Sequence, residues 1–221
     1  MKGILDLEYA FGREKRPDFK YRLKRRTYEV IKTIAKFSPH PQAILDLGTA
    51  EGRMLEKIKT KYPASLCIGI DYSLPLLKYG IRKFSDIHLI CGDVQNLRFI
   101  KDRTFDVIIA AAVIEHLTFP LEMLRESYRL LKKDGIIIIT SPNPFWEKIA
   151  NILGIIKGDH QSVMSPKEIL NLCKIVKLSI LDCRGFMISP VGMAGELKIE
   201  GMLQRMGLNR FLPNQLIVVK K

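Results

Sequence analysis

Ile44-Leu45-Asp46-Leu47-Gly48-Thr49-Ala50-Glu51-Gly52-Arg53 decides the fold. The apolar run Ala43–Leu47 predicts a short buried strand, and the spacing from Arg53 to Lys61 predicts a helix. Between them, the small residues Gly48, Ala50 and Gly52 predict a tight turn whose backbone approaches a ligand closely. The helix that follows presents its first N–H groups at that turn. An ordinary strand–turn–helix connection has the same local signature, so the surrounding sequence has to choose between the two readings.

Outward from this stretch the pattern alternates. Leu66–Ile70, ending in Asp71, predicts a second strand, and Leu74 to Phe84 a helix. His88–Cys91, ending at Gly92-Asp93, predicts a third strand and Phe105–Ala111 a fourth. A helix is expected over Leu121–Leu131, then a fifth strand over Gly135–Thr140, stopped by Pro142. Continuous apolar strands alternating with helices imply a parallel sheet covered on both faces, and right-handed crossovers make it doubly wound. Further on, Ser165 and Glu168 form a capping box that opens a helix over Pro166–Leu172, and Leu178–Arg184 and Gln215–Lys221 read as strands. No internal repeat or linker divides the chain, so residues 1–221 are expected to form one domain.

The acids past successive strands turn the first motif into a site. Asp71 and Asp93 each follow a strand end, where open α/β sheets bind ligands. A carboxylate at 71 suits ribose hydroxyls and one at 93 an adenine amino group; each acid alone reads equally well as a turn or cap residue. The dinucleotide fingerprint G-x-G-x-x-G fails at Ala50 and Arg53, and no phosphate P-loop occurs.

Composition bounds the rest. The 221 residues are 47% hydrophobic and 27% charged, which excludes a disordered or fibrous chain. No apolar run reaches membrane-span length, and no signal-like stretch opens the sequence, so a cytoplasmic location is the expectation. The net charge of +13 favours anionic partners without naming one. Residues 1–42 form a basic, partly helical lead-in with 11 basic and five acidic residues, ended by Ser38-Pro39-His40-Pro41. Such a run is commonly a solvated helix face; it also suits an anionic acceptor or RNA phosphates. Tyr21, Leu23, Tyr28, Val30, Ile31 and Ile34 give it an irregular apolar stripe. The cysteines Cys67, Cys91, Cys173 and Cys183 lack metal-ligand spacing, so they are expected to be reduced and mostly buried, with no metal site.

Taken together, D-x-G-x-[GA]-x-G and the downstream acids resemble the class I S-adenosylmethionine-dependent methyltransferases of the type 11-like group. The resemblance runs from Ala43 to Pro144 through Ile44–Gly52, Gly69-Ile70-Asp71-Tyr72-Ser73, Cys91-Gly92-Asp93-Val94, Phe105-Asp106-Val107-Ile108, Glu115-His116-Leu117 and Leu130-Leu131-Lys132-Lys133-Asp134-Gly135. Ala50 stands where a middle glycine is commoner. The resemblance implies a Rossmann-like sheet of seven strands, mostly parallel, with Gln215–Lys221 as an antiparallel last strand. It implies S-adenosylmethionine as cofactor. Gly48, Thr49, Ala50 and Gly52 would pack on its methionine and ribose portion, and Asp46 would support the turn or the cofactor's amino group. Asp71 would take the ribose hydroxyls, Tyr72 the adenine face, Asp93 and the Val94 backbone the adenine edge, and Ala111 the methionine portion.

His116 is the candidate general base for a hydroxyl acceptor. The plain alternative is that Glu115-His116-Leu117 opens the next helix. His160 ranks below it, and His40 and His88 read as structural or surface residues. Residues 145–214 are the variable, substrate-side region. There Phe145, Trp146, Ile149, Ile152, Leu153, Ile155 and Ile156 suit either an apolar acceptor or a core-packing helix. Phe186, Met187, Met193, Met202 and Met206 form a lid or fill a small subdomain. The expected activity is methyl transfer to oxygen or carbon of a small-molecule or lipid-like acceptor. RNA methylation and non-catalytic cofactor binding are the alternatives, and oligomeric state is not legible.

Overall fold

The computed structural model describes residues 7–146 and 164–221. Helices α1 (Leu7–Lys15) and α2 (Pro17–Phe37) lead into β1 (Ala43–Leu47), α3 (Arg53–Lys61), β2 (Leu66–Asp71), α4 (Leu74–Lys83), β3 (His88–Cys91) and β4 (Phe105–Ala111). Then come α5 (Pro120–Leu130), β5 (Leu131–Pro142), α6 (Pro166–Ile175), β6 (Ser179–Phe186), α7 (Glu196–Arg205) and β7 (Asn214–Lys220). The seven strands form one sheet in the order β3-β2-β1-β4-β5-β7-β6. β7 runs antiparallel to both β5 and β6, while the pairings among β1 to β5 are parallel. The expected Rossmann-like sheet is therefore present, with its antiparallel strand one residue earlier than read, at Asn214–Lys220.

Two apolar layers hold the sheet. On one face Leu45, Leu47, Ile108 and Ile137 pack against α5 and α6 through Met123, Leu124, Ile169 and Cys173. On the other, Ile44, Val107, Ile109 and Ile138 meet α2 and α3 through Leu23, Ile34, Leu55 and Ile58. Alternate residues of β1 thus enter opposite cores, which is why the strand reads as a continuous apolar run. Asp106 ties the far edge: its Oδ2 accepts the N–H groups of Gln42 and Ala43, each at 2.9 Å, and also Lys132 Nζ at 2.9 Å.

Several expectations shift. Helix α5 begins at Pro120 rather than Leu121, and β5 starts at Leu131, because backbone pairing to Phe105 extends it beyond the apolar core of the strand. The capping box is present: Ser165 N–H donates to Glu168 Oε2 at 2.7 Å, and Glu168 N–H donates to Ser165 Oγ at 3.3 Å. The resulting helix runs on to Ile175 rather than Leu172. Helix α2 ends at Phe37, ahead of the proline pair, but it is not a simple solvated face. Arg25, Thr27, Glu29 and Thr33 are buried beside Leu23, Val30 and Ile34, whereas Tyr28 of the expected stripe is exposed. Charged side chains enter that face because partners on β6 and α7 neutralise them. Of the cysteines, Cys67 and Cys173 are buried, while Cys91 and Cys183 are exposed; all four are free thiols.

Candidate functional site

The turn after β1 is built from left-handed residues. Gly48, Ala50 and Gly52 have φ of 67°, 53° and 83°. The N–H groups of Gly48 and Thr49 both donate to Ile70 O, at 2.8 and 3.1 Å, so the turn stays fastened to β2. Thr49 Oγ1 donates to Asp46 Oδ2 at 2.7 Å, which gives buried Asp46 a turn-supporting contact. A Cβ on Gly48 would lie 2.4 Å from Val113 Cγ2, so the loop after β4 requires glycine there. A Cβ on Gly80 of α4 would lie 2.2 Å from Glu51 O, which lets α4 press against the outside of the turn.

Asp71 ends β2 at the same edge. Its Oδ2 accepts Ala50 N–H at 2.7 Å and its Oδ1 accepts Ser73 N–H at 2.8 Å. Those two bonds use part of a carboxylate's roughly four lone-pair positions. Gly92 N–H donates to Asp71 O at 3.0 Å, bringing the loop after β3 alongside. There Asp93 is exposed, with Oδ1 accepting Gln95 N–H at 2.9 Å, and Val94 is buried next to it. Tyr72 is 51% exposed at the rim. Ala111 ends β4 and is half-buried; the next residue, Ala112, has φ of 58° and donates to Thr140 O at 2.8 Å. The structure thus brings the residues singled out from 46 to 111 to the carboxyl-terminal edge of β1, β2, β3 and β4.

Helix α1 was not foreseen here. Ala10 packs with Ala50, Leu76 and Tyr79, so the lead-in covers the glycine-rich turn. Glu14 fixes it: its Oε1 accepts Arg53 Nη2 at 2.5 Å, Tyr79 OH at 2.9 Å, and Lys83 Nζ. The Lys83, Arg53 and Tyr79 donors hold the Glu14 pKa down at about 2. These partners stand 39 to 69 positions downstream, beyond any local spacing rule, so sequence offered no signal for the clasp.

The residues expected on the acceptor side divide. His116 lies in a 3-10 turn, Ile114–His116, directly after β4, half-buried beside buried Glu115; no α-helix begins at that point. Phe119 is exposed nearby, and its N–H donates to Gln95 Oε1 at 2.8 Å. Phe145 and Trp146 are exposed and meet edge to face, with ring centroids 5.6 Å apart. Ile149, Ile152, Leu153, Ile155, Ile156 and His160 lie outside the described residues. Phe186 and Met187 are core residues packed towards α2, whereas Met193, Met202 and Met206 are exposed, so those five do not form one cluster.

This constellation fits an adenosyl group. Two carboxylates stand at consecutive strand ends, where they can accept from hydroxyl and amine donors, beside an exposed aromatic ring and a tight turn in which Gly48 and Gly52 leave no room for a Cβ. Residues 45–139 match the model of a methyltransferase domain. The chain is 34% identical over 100 residues to the demethylmenaquinone methyltransferase of Thermotoga maritima, a match covering 45% of this chain and 43% of that protein. It is 30% identical over 169 residues to the ubiquinone biosynthesis O-methyltransferase of Actinobacillus pleuropneumoniae, covering 67% of this chain and 70% of that one. With several such relatives, as with that of Thermotoga, the chain thus aligns over less than half of their length. An S-adenosylmethionine-dependent methyltransferase of Archaeoglobus fulgidus shares the fold, with a TM-score of 0.65 at 20% identity, covering 92% of this chain and 99% of that one.

Proposed function

The chain belongs to the class I S-adenosylmethionine-dependent methyltransferases, and on that premise we propose that it methylates oxygen or carbon of a small-molecule or lipid-like acceptor. The observation that carries the reading is the reach of Asp71 to the Ala50 N–H, which locks the glycine turn and the β2 edge into one cradle. The names of the matched relatives, methyltransferases of demethylmenaquinone and of ubiquinone biosynthesis, support an acceptor of that class.

When bound, S-adenosylmethionine supplies an electrophilic methyl on a sulfonium. The chain's task is to orient it. Asp71 accepts the ribose hydroxyls, Asp93 and the Val94 backbone face the adenine edge, and Tyr72 covers the ring. The turn of Gly48, Thr49, Ala50 and Gly52 would pack against the ribose and methionine portion, with Asp46 and Ala111 flanking it. Holding acceptor and methyl in line contributes several kcal/mol, up to roughly 7–11 in favourable intramolecular cases. His116 takes the acceptor proton, as a half-buried imidazole on the turn after β4.

Titration calorimetry with S-adenosylmethionine and with NADH tests the premise at the site: the methyl donor binds and NADH does not, and the reverse result overturns the assignment. Incubation with methyl-labelled donor and fractionated cell extract then finds the acceptor class. No label in any fraction, with the donor bound, would mark a binding protein without transfer. With the acceptor in hand, His116→Ala lowers kcat about a hundredfold or more at unchanged donor affinity. Undiminished turnover dismisses the base.

A further inference from the structure

Helix α7 is built inside out. Its two acids, Glu196 and Glu200, face the protein. Glu196 Oε1 accepts the N–H groups of Ile188 and Ser189, at 2.6 and 3.2 Å. Glu200 Oε1 accepts Met187 N–H at 2.7 Å, and its Oε2 meets Arg25 Nη2 at 2.6 Å. Arg25 also pairs with Glu29 at 2.8 Å, and Glu29 with Arg184 at 2.7 Å, so a buried charge network bolts α7 to α2 and β6. Apolar side chains share the outside: Leu197, Met202 and Met206 are 53%, 61% and 66% exposed, and Leu208 and Phe211, in the segment that follows, are exposed as well. Exposed Lys198, Arg205 and Arg210 stand among them.

An exposed surface that mixes apolar side chains with cations, and that among the described residues carries no acid, has one natural counterpart, the interface of an anionic bilayer, where methylenes enter the acyl boundary and cations meet headgroups. A second copy of this face would oppose like charges, on a chain already carrying +13. The face also has a fixed relation to the site edge. Asn143, just past β5, donates through Nδ2 to Arg210 O at 3.1 Å and Leu212 O at 3.0 Å, and Trp146 Nε1 donates to Phe211 O. Among the described residues no helix is long and apolar enough to cross a membrane.

We infer that the α7 face, with Leu208, Arg210 and Phe211, docks the protein on anionic lipid bilayers. Docking presents the carboxyl-terminal sheet edge to the lipid surface; its value for catalysis rests on the proposed lipid-like acceptor, whereas the binding itself does not.

Co-sedimentation of the full chain with phosphatidylcholine vesicles, and with mixed phosphatidylcholine–phosphatidylglycerol vesicles, tests this. Binding is expected to the mixed vesicles and to weaken with salt. Each charge lost among Lys198, Arg205 and Arg210 should cost about fivefold in partitioning. The K198E/R205E pair therefore weakens binding at least 25-fold or so, and M202S/M206S weakens what persists at high salt. Both variants leave every Glu196 and Glu200 contact in place, and unchanged donor affinity by calorimetry shows that they fold. Equal binding of wild type and K198E/R205E overturns the inference. So does a dimer, seen by sedimentation velocity without lipid, that M202S/M206S dissolves. Vesicle binding without methyl transfer would leave docking standing and sink only the catalytic reading; methyl transfer without vesicle binding does the opposite.

Discussion

The carboxylate of Asp71 and the backbone N–H of Ala50 are 2.7 Å apart, across the gap between the end of β2 and the turn after β1. One acid thereby sets the shape of the turn and stands beside the ligand that the turn would hold. Asp71→Ala removes two backbone-directed bonds, each of the charged kind that contributes about 1.5–3 kcal/mol. It should lower the melting temperature and weaken S-adenosylmethionine at least tenfold by calorimetry. Asp71→Asn keeps one carbonyl acceptor and should fall between. Unchanged donor affinity in both would remove Asp71 from the site.

Gly48 and Val113 pack back to back, with no room for a methyl group between them. Gly48→Ala combines that clash with a left-handed φ of 67° and should destabilise by about 2–4 kcal/mol. Val113→Ala relieves only the clash. The double variant should therefore recover part of the loss in a denaturant-unfolding cycle, and strict additivity would show that the two residues do not compete for the same space.

Ala50 adopts φ of 53° where glycine is free of penalty. Release of that strain, about 1–2 kcal/mol, outweighs the extra unfolded-state freedom of glycine, about 0.4–1 kcal/mol. Ala50→Gly should raise stability by up to about 1 kcal/mol, read as a higher urea midpoint at constant slope. A lower midpoint would mean that the buried methyl, packed with Ala10 and Leu76, matters more than the backbone.

Glu14 sets a pH dependence for the clasp of α1. Its folded pKa of about 2 lies below the ordinary 4.5, so its contribution is complete above about 4.5 and is lost as pH falls towards 2. Melting curves of wild type and Glu14→Gln should differ most near neutrality and converge at the acid end of that window. A difference constant across it would show that the charge of Glu14 plays no part. Salt should narrow the neutral-pH difference, because Glu14 and Lys83 are partly exposed.

Much of this molecule was written locally. The strands Ala43–Leu47 and Phe105–Ala111 fall where their apolar runs stand, because a strand buried on both faces has to be apolar throughout. The capping box at Ser165 and the helix stop before Pro39 were equally legible, since both depend on residues within a few positions. The acids Asp71 and Asp93 could be singled out because strand ends in such a sheet share one edge.

Distance in sequence marks where that legibility stopped. The clasp of Glu14 on Arg53, Tyr79 and Lys83, the press of Val113 on Gly48, and the bond from Arg25 to Glu200 join segments with no common pattern. The basic lead-in read as a solvated face because charge is ordinarily left in water. Only the folded chain supplied the carboxylates that let Arg25 go inside, and the same pairing turned the apolar side of α7 out. Sequence alone determined the parallel strands, the turn after the first of them and the acids at their ends, since these follow from near-neighbour chemistry. Tertiary structure decided what covers the turn and which face of α7 meets the outside, since those depend on partners that chain order keeps far apart.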